Sequence, residues 1–288
     1  MDDLSEKTEI SYLTSSGICP SMQPSSLPPP PSFRMWKGGE MTLSSFYSIA
    51  GISTSFFLGT PEGMMVLEAG DGCVRDLIEI QRVQMGQGFP HPLMGGGRPD
   101  DGPLAIVISH PHYDHYSGLL NLLSFLHLLR RKGRIMVLYP EGAAAVEGMV
   151  DHFLDTIWEG PEFTLDMVPL HGGGQVDIIN GVSLRYVQVP HRNSRPGSVG
   201  GPVPSMAYKV VRGAESVAYS GDTGDAGMLK ELMSGASLAL IEATYPEPSV
   251  DGVGVHLTLE EAGSLGGYAK EHWLVHFTAA SFDRHHHP

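Results

Sequence analysis

Leu104-Ala105-Ile106-Val107-Ile108-Ser109-His110-Pro111-His112-Tyr113-Asp114-His115 is the stretch whose reading decides the fold. Five unbroken apolar residues bounded by polar ones predict a strand buried on both faces. At its C-terminal end the strand delivers four metal-ligating side chains within six residues. Alternate residues of an extended segment point the same way, so His110 and His112 can grip one ion together. Asp114 and His115 lie where the chain turns into a helix, and they face a second position. Imidazole and carboxylate donors suit zinc, and manganese or iron accept the same set. Downstream, Leu119, Leu120, Leu122, Leu123, Leu126 and Leu129 recur at helical spacing as far as Lys132-Gly133, a basic turn followed by a glycine stop.

Working outward, short β-rich runs at 43–49, 53–58 and 64–68 predict an antiparallel meander before this unit. After it, strands are expected at 135–139, 163–168, 175–179, 182–189, 205–211, 216–219 and 238–241. Helices are expected at 141–157, 226–234 and 258–270. Strand blocks with helices interspersed in both halves predict two sheets packed face to face with helices outside. Residues 9–14 read as a first strand. The run Pro28-Pro29-Pro30-Pro31 lacks backbone donors and favours polyproline II, so residues 22–40 read as a loop insertion in a single domain spanning 1–288.

Composition bounds the function. The 288 residues are 41% apolar, and 18 Lys plus Arg stand against 32 Asp plus Glu, a formal charge of −14. Such a balance argues against a broad basic surface that tracks nucleic acid without sequence preference. Cys19 and Cys73 have no metal-binding spacing and read as reduced core thiols. No apolar run reaches the ~18 residues of a membrane span, and the acidic start Met1-Asp2-Asp3-Leu4-Ser5-Glu6 has no signal-peptide character. The expectation is a cytoplasmic protein with no membrane partner. The His run at 285–287 is given no catalytic role.

The His110-x-His112-x-Asp114-His115 pattern resembles the HxHxDH motif of the metallo-β-lactamase superfamily. That resemblance implies an α/β fold, the αββα four-layer sandwich of two mixed β-sheets flanked by helices. It also implies three later ligands, and His191, Asp222 and His276 stand in order at predicted strand ends. By analogy His110, His112 and His191 hold one metal, Asp114, His115 and His276 a second, and Asp222 bridges them. The implied cofactors are thus two divalent ions, zinc first.

Within the superfamily the chain is most similar to ribonuclease Z and its phosphodiesterase relatives, over nearly its whole length. Ile10 to Ser21 looks like that branch's opening strand and loop, and Leu67-Glu68-Ala69-Gly70-Asp71-Gly72 like its DxGEG segment. Glu242-Ala243-Thr244 resembles its HEAT segment, and His256-Leu257-Thr258 its HxT element. The resemblance implies a phosphodiesterase in which His256 protonates the leaving group, held cationic by Glu242 and by Asp114. Its substrate would be an RNA 3′ end or a small phosphodiester, and the family often forms homodimers.

Three departures stand out. Glu68 replaces an Asp, which lengthens its reach; Ile241 replaces the first residue of HEAT; and no Arg follows His276. Between His191 and Asp222, where tRNA-processing members carry a long basic arm, only residues 192–197 and a short Gly/Pro loop stand, which argues against the usual grip on tRNA. Arg192 and Arg195, beside His191, are candidates to clamp a substrate phosphate. Alternative readings are a cyclic-nucleotide phosphodiesterase, a carbonyl hydrolase of lactamase or thioesterase type, and a noncatalytic, metal-stabilised RNA-binding subunit.

Overall fold

The computed structural model describes residues 33–86, 104–195, 198–247 and 254–278. The chain divides into units 1–31 and 32–288, and all described residues fall in the second. The expected strand at 9–14, most of the Pro-rich insertion, Cys19 and the His run lie outside the described residues. Residues 34–38, assigned to the end of that insertion by sequence, instead form a strand, β1 (Arg34–Gly38).

The meander follows as β2 (Met41–Ser45), β3 (Ser48–Ile49), β4 (Ser53–Thr54), β5 (Phe56–Thr60) and β6 (Gly63–Leu67). Then come α1 (Cys73–Gly86), β7 (Leu104–Val107), α2 (Tyr113–Tyr116), α3 (Leu119–Leu128), β8 (Gly133–Pro140), α4 (Ala144–Thr156) and β9 (Phe163–Leu170). The first sheet has the order β1-β2-β5-β6-β7-β8-β9. It is antiparallel as far as β6 and parallel from there. All four residues of β7 are buried, as expected of a central parallel strand covered on both faces.

The second half contributes β10 (Gly173–Ile179), β11 (Val182–Gln188), β12 (His191–Arg195), β13 (Ser198–Val203), β14 (Met206–Arg212) and β15 (Glu215–Tyr219). It ends with α5 (Lys230–Met233), β16 (Leu238–Glu242), α6 (Leu259–Gly266) and β17 (Glu271–Val275). Its sheet runs β10-β11-β14-β15-β16-β17, while β12 and β13 pair only with each other.

Four layers result, the αββα sandwich. Leu58, Leu67 and Val107 of the first sheet pack with Leu184, Tyr208 and Leu240 of the second in one buried cluster. The outer face of the first sheet packs on Leu77, Leu122, Leu126 and Phe153 from α1, α3 and α4. The outer face of the second packs on Met233, Ala262 and Leu265 from α5 and α6.

Polar clips also join the sheets. Trp36 Nε1 donates to Glu271 Oε1 at 3.2 Å. At the end of β14, Arg212 grips both oxygens of Glu62 at 2.6–2.7 Å and reaches Glu40 at 2.6 Å. The Arg212 hydrogen bonds hold the Glu62 carboxyl down at about 2 against the usual 4.5. Because the folded value is depressed, this clip stabilises the fold above pH 4.5 and loses its effect as pH falls toward 2. Arg212→Gln is therefore expected to lower the urea midpoint at pH 7 and to leave it nearly unchanged at pH 2. A difference equal at both pH values would show that Glu62 is not the partner that matters.

Candidate metal centre

The strand ends of both sheets converge on one place. Glu68 follows β6, Ser109 and His110 follow β7, Asp222 follows β15, Glu242 closes β16 and His276 follows β17. His191 opens β12, one element beyond the strand it was expected to end. In parallel sheets the carboxyl ends of strands form the natural crevice. Two of these corner residues, Glu68 and His276, have φ of 62° and 58°, conformations that non-glycine residues adopt at a cost of about 1–3 kcal/mol and that cluster at functional sites. Gly221, with φ 58°, makes the corner before Asp222; a Cβ there would stand 2.5 Å from the Met206 carbonyl oxygen.

The donors fall into two main groups. His110, His112, His191 and Asp222 offer ligand atoms within 4.8 Å of one another, and so do Asp114, His115 and His276. In the first group His112 Nδ1 lies 3.1 Å from Nε2 of both His110 and His191. In the second, His115 Nε2 lies 3.2 Å from His276 Nε2, which lies 3.3 Å from Asp114 Oδ2. Asp222 Oδ2 stands between the groups, 3.6 Å from His110, 3.5 Å from His115 and 3.3 Å from His276. Its other oxygen, Oδ1, is buried with no hydrogen-bond partner among the described residues.

These spacings fit a metal. Donors about 2 Å from a tetrahedral zinc stand about 3.3 Å from one another. The outer nitrogens explain why the inner ones are lone pairs. His110 Nδ1 bonds Ser109 Oγ at 2.9 Å, His115 Nδ1 bonds Glu68 Oε2 at 3.3 Å, and His191 Nδ1 donates to the Val255 carbonyl at 3.0 Å. The Thr244 hydroxyl donates to Glu242 Oε2 at 2.7 Å and accepts from His276 Nδ1 at 2.8 Å. With a proton fixed outside, each of these rings presents Nε2 as an unprotonated donor, the arrangement that orients metal-bound histidines. Inward lone pairs cannot satisfy one another; a cation satisfies them, and the buried Asp222 oxygen with them.

Burial and neighbouring charge set the two central imidazoles apart. Burial drives His110 well below the usual histidine range, aided by charge on His115. Burial also opposes charge on His115, but Asp222 and Asp114 outweigh it and hold His115 well above that range.

Glu68 reaches the site despite its extra methylene, because the left-handed turn folds it back. Fully buried, it accepts from Ser109 N at 2.9 Å and from the Tyr208 hydroxyl at 2.9 Å. Tyr208 comes from the opposite sheet, and no local pattern in the sequence singles it out.

His256 and Glu242 meet as the sequence suggests. His256 Nδ1 lies 3.1 Å from both Glu242 oxygens and 3.8 Å from Asp222 Oδ2. Burial disfavours the imidazolium, but the Glu242 charge and hydrogen bonds raise its pKa to about 9. Asp114 is not its second carboxylate: Asp114 Oδ2 instead accepts from Gly51 N at 2.8 Å and faces His276. His256 does not cap the following helix either, since Thr258 forms a capping box with Glu261. His256 also forms a third group with Asp222 and His276.

Within residues 192–204, expected as a loop, 192–195 and 198–203 lie in the paired strands β12 and β13 of a hairpin. Arg192 is exposed, and its Nε donates to the Gly200 carbonyl across the hairpin at 3.1 Å. The side chain of Arg195 lies outside the described residues. Asn193, absent from the sequence-based candidates, meets His112 Nε2 through Oδ1 at 3.0 Å.

Comparison with known proteins gives one family match: residues 83–277, more than half of the chain, match the model of the β-lactamase superfamily domain. No curated protein sequence matches the chain. Among solved structures, the metallo-β-lactamase fold protein YhfI from Bacillus subtilis aligns with TM-score 0.60 at 14% identity, covering 85% of this chain and 91% of YhfI. Human tRNase Z, short form (ELAC1), aligns with TM-score 0.62 at 17% identity, covering 82% and 92%. Unliganded yeast PDE1 aligns with TM-score 0.54 at 16% identity, covering 83% and 88%. At these identities the likeness establishes the fold.

Proposed function

The chain belongs to the β-lactamase superfamily, and from that premise we propose that it is a dinuclear metal-dependent phosphodiesterase acting on a small phosphodiester. His110, His112 and His191 would hold one cation and Asp114, His115 and His276 the other, with the Asp222 carboxylate placed between the two groups. When bound, such a pair supplies a nucleophile from water near neutral pH and positive charge for the phosphoryl oxygens. The chain's own residues do the rest. Glu242, fixed by Thr223 N at 2.7 Å and by Thr244, holds Nδ1 of His256. Nε2 is the nitrogen left to carry a proton to the departing alkoxide.

The observation that carries this reading is the buried Glu242–His256 pair beside Asp222. A cationic imidazole at this place is suited to protonating an alkoxide leaving group. The names of the structural neighbours, tRNase Z, PDE1 and a diphosphatase from the PhnP family, support phosphorus over carbon as the electrophile. The shortness of the β12–β13 hairpin and the acidic balance of the chain favour a small diester over tRNA.

Protein loaded with zinc or manganese is expected to hydrolyse bis(p-nitrophenyl) phosphate at least 100-fold faster than nitrocefin or an acyl thioester. Turnover of the thioester or the lactam with no phosphodiester hydrolysis under any of these metals would refute the assignment.

A further inference from the structure

Of the five imidazoles in the two main groups, four anchor their outer nitrogen on buried partners: Ser109, Glu68, Val255 and Thr244. His112 differs in three respects. It is only half-buried, it turns Nδ1 inward where the others turn Nε2, and its outer nitrogen rests on an exposed hairpin residue, Asn193. For Nδ1 to be a donor to a cation, the proton must sit on Nε2. An amide oxygen at 3.0 Å selects that tautomer and fixes the ring.

The hairpin is built to present this oxygen. The β12–β13 register shifts between Arg192 and Ser194, so Asn193 occupies an irregularity in the ladder, the feature by which strands re-aim one side chain. Gly200 packs opposite, where a Cβ would stand 3.0 Å from Asn193 Cβ and 3.4 Å from its carbonyl oxygen. Arg192 Nε ties the two strands together on the Gly200 carbonyl.

We propose that Asn193 is a positioning residue and that the β12–β13 hairpin is a latch setting the affinity of the His110/His112/His191 metal position alone. This rests on the dinuclear centre proposed above but not on its substrate. Among the described residues the second position has no contact of this kind: His115 and His276 are held from Glu68 and Thr244, both buried.

The test is zinc competition against a chromophoric chelator, using the full chain, wild type, Asn193→Ala and Asn193→Asp. Loss of an outer hydrogen-bond partner weakens metal binding about 10–100-fold. Asn193→Ala is expected to show that loss in one of two zinc affinities, with the other within about threefold of wild type. Asn193→Asp keeps an acceptor and is expected to restore the lost affinity. Thermal unfolding of the three metal-free proteins controls for the fold. Two unchanged affinities in Asn193→Ala, equal losses at both positions, or failure of Asn193→Asp to restore binding would each overturn the proposal. Wild-type protein that binds two zinc ions but turns over no phosphodiester would sink the phosphodiesterase reading and leave the latch standing. Wild-type protein that binds no zinc would remove both.

Discussion

Asp222→Ala is expected to reduce bis(p-nitrophenyl) phosphate hydrolysis by at least about 10³-fold, the rate equivalent of several kcal/mol of metal-derived stabilisation at 1.36 kcal/mol per tenfold. Among the described residues, Asp222 Oδ2 is the one carboxylate oxygen within 3.6 Å of Nε2 on His110, His115 and His276. Without it, two positions that share a donor become two poorer ones, so metal content measured by mass spectrometry should fall from two per chain to one or fewer. Asp222→Asn separates charge from volume, since the amide fills the same space and carries no charge. Both variants should lose activity together. An alanine variant that keeps a tenth of wild-type turnover with two bound metals would end the bridging assignment.

His256→Ala should cost about 10²–10⁴-fold on an alkyl leaving group, the range of a positioned general acid. The same variant should lose much less on bis(p-nitrophenyl) phosphate, because p-nitrophenolate departs without a proton. The contrast between leaving groups is what matters. Glu242→Gln removes the charge that raises the His256 pKa and should reproduce the alkyl-selective defect in weaker form. If His256→Ala slows both substrates equally, His256 acts on metal binding, as its proximity to Asp222 and His276 also allows, and not on the leaving group.

Much of this site is legible in the sequence, because its densest part is local. Four donors within six residues, after an apolar strand, announce both the strand end and the chemistry. His191, Asp222 and His276 were reached through family resemblance, and the fold brings all three to the cluster. Glu242 and His256 also meet as expected. What stayed hidden depends on tertiary contact. Asp114 was paired with His256, but the backbone of the β3–β4 turn claims it through Gly51. Tyr208 reaches Glu68 across the interface between sheets, a contact with no trace in either segment.

Two misses have a different cause. Helix α1 was not anticipated although Cys73, Leu77 and Ile80, all buried, stand at helical spacing; the glycines at 70 and 72 masked its start as a loop. Cys73 lies in the core, as expected, with burial pushing its thiol up to about 12. The glycines and prolines of the β12–β13 segment carry no alternating pattern, so its sequence reads as a loop. Its pairing rests on backbone bonds and on the Arg192 clasp.

The placement of donors at strand ends throughout the chain bears on synthesis. At about 5–20 residues per second, roughly 8–33 seconds separate the making of His110 from that of His276. During that interval the nascent chain displays His110, His112, Asp114 and His115 without their later partners, an open chelator with none of the closed centre's geometry. In the proposed centre, any selectivity among zinc, manganese and iron that depends on the full donor set therefore arises only once the last strand docks.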